Sequence, residues 1–240
     1  MNLVVFDLDG TLTTTFAVHV QCFVQAFRAA LNIEHLNTNW TEYRDVTDSG
    51  VLFQAFNSAN GRDPDAAEVS KFIECFASLL TEAHSTNTDS FGEIAGAAAF
   101  LTHLQQHPNW RIAIATGSWE RCARFKMTVA GINADGIPAS FAEDGPARET
   151  IVEAAISKAC AEYRRDFEKI VFVGDALSDV RTAQRLGLPF VGIGNGGQEA
   201  LLRSVGANEI IDNFLDHNRS MECFDRAVIP KAYGESASRI

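Results

Sequence analysis

Short, continuous apolar runs recur along the chain at residues 4–6, 111–115, 170–173 and 190–193. Each is rich in β-branched or aromatic side chains and lacks polar alternation, the pattern of a strand covered on both faces. Between and around them lie stretches with helical periodicity at 94–106, 120–130, 152–162, 179–186 and 199–205. Strand and helix therefore alternate from about residue 92 to 212, which predicts an α/β fold with a doubly wound parallel sheet and helices on both faces. Residues 16–86 interrupt the alternation, with helical patterns at 16–30, 49–60 and 64–83 but no strand pattern. Phe23, Phe27 and Leu31 are spaced i, i+4, i+8, and Phe72, Phe76 and Leu79 or Leu80 repeat the theme. Such stripes are core-forming faces, so the segment reads as an all-α unit inserted after the first strand. The expected organisation is a core of residues 1–15 and 87–240 with a helical insert over 16–86. Residues 213–240 carry no clear motif and read as an appended tail.

Three of the predicted strands end in chemistry. Val4-Val5-Phe6 runs into Asp7-Leu8-Asp9-Gly10-Thr11, and the carboxyl end of a strand is where open α/β sheets bind ligands. Residues two apart share one side of a strand, and two carboxylates in one cleft require a cation or a shared proton. The second strand ends in Thr116-Gly117-Ser118 ahead of a helix, where a hydroxyl serves as a cap or contributes to an anion site. The third ends in Gly174-Asp175-Ala176-Leu177-Ser178-Asp179. Its carboxylates suit a hard cation such as Mg2+, while Asp179 is also placed to cap the following helix.

The ordered set resembles the haloacid dehalogenase-like superfamily of hydrolases, in the phosphoglycolate phosphatase and β-phosphoglucomutase-like subgroup with an α-helical cap. By that resemblance Asp7 is the nucleophile that forms an aspartyl-phosphate, and Asp9 is the general acid and base whose main-chain carbonyl also binds Mg2+. Gly10, Thr11, Thr116 and Gly117 fall in the phosphate-binding turns. Asp175 is the second direct carboxylate ligand beside Asp7, and Asp179 supports the metal or orients the basic residue. The resemblance also requires a cation between the second and fourth motifs. Many relatives show Lys-Pro there, whereas this chain has Gly145-Pro146-Ala147-Arg148. Arg148 is the first choice, because a guanidinium grips oxyanions in a fork, and Lys158 is the second. The helical insert corresponds to the family's cap, hinged near 13–15 and 86–90, which closes over the site and excludes water. The implied activity is Mg2+-dependent hydrolysis of a small phosphorylated metabolite. Phosphomutase chemistry and a noncatalytic binding role on the same fold remain alternatives. Dehalogenase and phosphonatase chemistries are disfavoured, since both dispense with the second Asp.

The remaining composition narrows partners more than mechanism. A net charge of -11 argues against nonspecific nucleic-acid or anionic-membrane binding, and no apolar run is long enough to span a bilayer. The start, Met1-Asn2-Leu3, lacks a basic leader, which implies cytoplasmic residence. Five separated cysteines show no metal or disulfide spacing. The six histidines are scattered and read as surface or helix-packing residues. The polar, aromatic stretch from Trp40 to Gly50 reads as a pocket loop, in which Arg44 either meets a second anionic group of the substrate or is solvated.

Overall fold

The computed structural model describes residues 1–231. Strand β1 (Asn2–Phe6) is followed by helices α1 (Phe16–Leu31), α2 (Asp48–Asn60) and α3 (Ala66–Thr86) before the chain enters α4 (Ala97–Gln105) and β2 (Trp110–Ala115). It continues through α5 (Glu120–Val129), β3 (Ala139–Ser140), α6 (Arg148–Tyr163), β4 (Lys169–Gly174), α7 (Leu177–Leu186), β5 (Phe190–Ile193), α8 (Gly196–Ser204), β6 (Glu209–Ile211) and α9 (His217–Arg226). The sheet is wholly parallel, in the order β3-β2-β1-β4-β5-β6. That order reverses direction at β1, and the crevice at such a switch point is the ligand site of doubly wound sheets. Among the described residues no helix is long and apolar enough to cross a membrane.

Alternation along the strands supplies both faces of the sheet. Val4, Phe6, Ile112, Ile114, Val171 and Val173 face one way and pack under α4, α5 and α9. Leu3, Val5, Ala113 and Phe172 face the other way, against α6, α7 and α8. A third apolar cluster belongs to the inserted helices, where Phe23, Phe27, Phe72 and Phe76 interlock edge to face around Trp119 at the entrance to α5. The inserted helices thus share a core with the sheet unit. Thr47 starts α2 by accepting from the Gly50 amide, and Asp65 with Glu68 forms a capping box on α3.

Two expectations are corrected. The tail from residue 213 is structural where it is described: Phe214 and Phe224 are fully buried and meet the Phe6 ring at 5.9 and 6.1 Å, directly before Asp7. The remainder of that tail, 232–240, lies outside the described residues. The sheet also carries the short strands β3 and β6 at its two edges, which apolar runs alone did not reveal.

Candidate active site

Phe6 is in register with Ile114 on one side and Val173 on the other, so β2, β1 and β4 end together. Asp7 follows β1, Thr116 follows β2 and Asp175 follows β4, so the three meet at one edge. Gly10 has φ 88°, and a Cβ on it would fall 2.2 Å from Asp175 Oδ2. Only glycine lets the turn after Asp9 pass this close to the second acidic strand end.

Carboxylate oxygens of Asp7, Asp175 and Asp179 lie within 4.8 Å of one another. Arg148, at the first turn of α6, reaches into this group with Nη2 2.5 Å from Asp7 Oδ1 and Nε 2.6 Å from Asp179 Oδ1. The second contact is a charge contact without hydrogen-bond alignment, which leaves buried Asp179 Oδ1 and Arg148 Nε unsatisfied. Thr11 Oγ1 donates to Asp175 Oδ1 at 3.0 Å. Burial pushes the Asp7 carboxyl up to about 7 despite the Arg148 guanidinium, and Asp179 and Asp9 add to the rise. Burial, then Asp179 and Asp7, raises Asp175 well above the ordinary range. Three carboxylates against one guanidinium leave two negative charges uncompensated. The donor set is all oxygen, crowded and short of positive charge, which fits a divalent, hard cation.

Asp9 faces a different environment. Its Oδ1 accepts from Thr15 Oγ1 at 2.5 Å and its Oδ2 from Ser118 Oγ at 3.2 Å, and it forms an ion pair with Lys126, which has no solvent exposure. Lys126 also donates to Ser118 Oγ at 2.7 Å and lies 3.1 Å from His19 Nδ1. His19 Nε2 lies 3.0 Å from Asp48 Oδ1, so Asp48, His19, Lys126 and Asp9 form one chain from insert to core. Burial alone would raise the Asp9 carboxyl, but Lys126 and then His19, with the Lys126 and Thr15 hydrogen bonds, hold it well below the usual carboxylate range. A carboxyl depressed by folding stabilises the protein above the ordinary carboxylate pKa and loses that contribution as pH falls toward its folded value. Lys126→Met is therefore expected to cost about 3–5 kcal/mol at neutral pH. Denaturant unfolding should show the deficit shrinking below about pH 4; a deficit constant with pH would mean that packing, not charge, is lost.

The first turn of α2 is tied to the same region. Asp48 N donates to the Gly117 carbonyl at 2.7 Å, Thr47 Oγ1 to the Pro146 carbonyl at 2.6 Å, and Ser49 Oγ to the Ala142 carbonyl at 3.0 Å. A Cβ on Gly117 would sit 3.0 Å from Arg148 and 3.2 Å from Thr47, so the glycine admits both.

Asp7, Asp9, Thr116, Gly117, Arg148 and Asp175 line one cleft, with Asp179 buried behind Arg148. Gly10 and buried Thr11 pack against the carboxylates, with Thr11 Oγ1 donating to Asp175 Oδ1. The Asp9 side chain stands apart from the converging carboxylates, paired with Lys126. Arg44 is solvated: it pairs with Asp45 and borders a second cleft near Phe53 and Gly145. Lys158 is occupied on the surface by Asp144 at 2.8 Å, so only Arg148 reaches Asp7. His19, assigned to packing by sequence, is in the site. So is Lys126, which went unnoticed although it falls on the buried α5 stripe with Cys122 and Ala123. His19 likewise stands one turn before Phe23 on the α1 stripe. A titratable residue on an apolar helix face was the available signal for both.

A family profile for haloacid dehalogenase-like hydrolases matches residues 1–187. A phosphoglycolate phosphatase of Cereibacter sphaeroides (strain ATCC 17029 / ATH 2.4.9) is 28% identical over 199 residues, covering 78% of this chain and 82% of that protein. A hydrolase from Pseudomonas syringae superposes with a TM-score of 0.65 at 20% identity, covering 92% of this chain and 98% of the other. CbbY from Rhodobacter sphaeroides, solved in complex with phosphate, superposes with a TM-score of 0.60 at 18% identity, covering 89% and 95%. These two show likeness of fold. With the profile spanning 187 residues and acidic strand ends meeting at the sheet's switch point, the chain belongs to the haloacid dehalogenase-like hydrolase family and is an enzyme of that family.

Proposed function

We propose that the protein is a Mg2+-dependent phosphatase that hydrolyses a small phosphomonoester through an aspartyl-phosphate on Asp7. The observation that carries this reading is Asp7 itself, a buried carboxylate at the switch point with one oxygen against Arg148 and two further carboxylates beside it. Asp7 and Asp175, with the Asp9 carbonyl, are the groups assigned to hold Mg2+, and Asp179 is assigned to support them. Bound there, Mg2+ supplies the positive charge that lets Asp7 ionise and the phosphoryl oxygens approach it.

The chain's own groups carry the steps. Arg148 and the Thr116 turn hold the phosphoryl oxygens, and Asp7 attacks phosphorus while the ester oxygen departs. Asp9 exchanges the protons. Thr15, Ser118 and Lys126 fix it as a carboxylate, the form that takes a proton from the attacking water in the second half-reaction. The negative charge of an arriving phosphate monoanion raises the Asp9 pKa, so Asp9 takes up the proton that the monoanion carries and passes it to the departing alcohol oxygen in the first half. Residues 16–86 serve as the cap of a core formed by 1–15 and 87–240, and the bonds from α2 to the Gly117 and Pro146 carbonyls support this division of labour. All five cysteines are free, which supports a reducing, cytoplasmic setting.

The test is phosphate release from a panel of phosphomonoesters with Mg2+ and with a chelator. Release that is lost on chelation and restored by Mg2+ is the expected result. Release indifferent to the chelator would remove the metal from the mechanism, and no release from any ester would remove hydrolysis.

A further inference from the structure

The cleft over Asp7 has a volume of about 420 Å³, the scale of a small-molecule site. Its floor is charged, but much of the wall above it is apolar. Phe16, Val20 and Phe23 descend from one face of α1, Trp40 adds an indole from the following loop, and Leu177 and Leu201 close the opposite side. Phe16 is 50% exposed and Leu201 42% exposed, so two large apolar side chains stand in solvent at the mouth without a partner in the core. Apolar surface of this kind, continuous with a catalytic floor, is surface that a bound molecule covers.

The charges on the walls point the same way. From the inserted helices the cleft receives His19, already held by Asp48 at 3.0 Å, and the Asp48 carboxylate. Arg44, the cation expected to meet a second anionic group, borders the other cleft and pairs with Asp45. Among the described lining residues, Arg181 is the remaining cation outside the floor, and it is solvent-exposed on the core wall. On the side of the inserted helices, a carboxylate or second phosphate on the leaving group would therefore lie among Asp48, Asp9 and aromatic rings. The geometry points to a phosphomonoester whose alcohol portion is uncharged and apolar, with a ring or branched chain seated against Phe16 and Trp40. This assignment rests on the phosphatase reading and names the substrate class that reading leaves open. It separates the chain from its phosphoglycolate phosphatase relatives, whose named substrate carries a carboxylate.

The test compares kcat/KM of the full chain with Mg2+ for 2-phenylethyl phosphate and for 2-phosphoglycolate, both esters of primary alcohols. The phenylethyl ester should be favoured at least about tenfold, the lower end of what burying a ring returns. Trp40→Ala and Phe16→Ser, both at partly exposed positions, should narrow that preference. Equal rates, or a preference for phosphoglycolate, overturn the assignment, and loss of a phosphoglycolate preference in Arg181→Gln would place a second-anion site on α7 instead. A phenylethyl preference untouched by either wall substitution also overturns it. If neither ester is hydrolysed, the phosphomonoester panel decides the phosphatase reading, and calorimetry of both esters against Asp7→Asn with Mg2+ still decides the pocket. Tighter binding of the phenylethyl ester upholds the apolar wall; equal or weaker binding overturns it.

Discussion

Asp7→Asn is expected to fold normally and to lose at least about four orders of magnitude in turnover, because an amide cannot form the covalent intermediate. The same substitution should stabilise the metal-free protein at neutral pH and above. Burial raises the Asp7 carboxyl to about 7 in the folded chain, so folding favours its protonated form. Stability from such a group is fully present below the unfolded carboxylate pKa and is lost as pH rises from about 4 to about 7. Asn cannot ionise and escapes that loss. Thermal denaturation in chelator should therefore show the variant more stable than wild type near pH 8, with the difference closing toward about pH 4. Full residual phosphate release would overturn the nucleophile assignment. A variant less stable at every pH would instead show that the Arg148 contact outweighs the crowding of carboxylates.

Arg148→Ala should lower kcat/KM by about two to three orders of magnitude, the range for losing one charge-stabilising donor at a reacting centre. The effect should exceed that of a neutral donor, since Arg148 contacts both Asp7 and Asp179. Arg148→Lys keeps the charge but loses the fork, so an intermediate rate is expected. Lys158→Ala should leave the rate unchanged, because its ammonium sits on Asp144 and the Ala139 carbonyl. Steady-state kinetics on the three variants separate the assignments: a near-normal Arg148→Ala enzyme with an impaired Lys158→Ala enzyme would reverse them.

The acidic floor of the candidate site was legible because the fold marks it twice, by an apolar strand and by the charge that ends it. Asp7, Thr116 and Asp175 each directly follow the last residue of β1, β2 or β4, and parallel register does the rest. Arg148 was legible more weakly, as a cation ahead of a helix in the right interval. Lys126 was hidden because a lysine on a helix ordinarily signals a solvated face, whereas its carboxylate partner lies 117 residues away in sequence. Arg44 was left open between substrate and solvent for the converse reason: loop composition identified a pocket segment but not which of two clefts each side chain would face. Helix α9 escaped notice because its buried stripe is Ser220, Cys223 and Phe224, with a single large apolar residue among them. The edge strands β3 and β6, at two and three residues, are too short to carry a periodic signal.

The ties between the first turn of α2 and the Gly117 and Pro146 carbonyls set a clock as well as a shape. The α2 segment is bonded to the loops beside Thr116 and Arg148, and on the proposed cap and phosphatase reading the products leave only after those bonds break. Opening of this kind belongs to the microsecond-to-millisecond class of motion and commonly limits turnover in lidded enzymes. Rapid mixing should accordingly reveal a first turnover faster than those that follow, and Thr47→Val, which removes the hydroxyl bonded to Pro146, should accelerate the later ones.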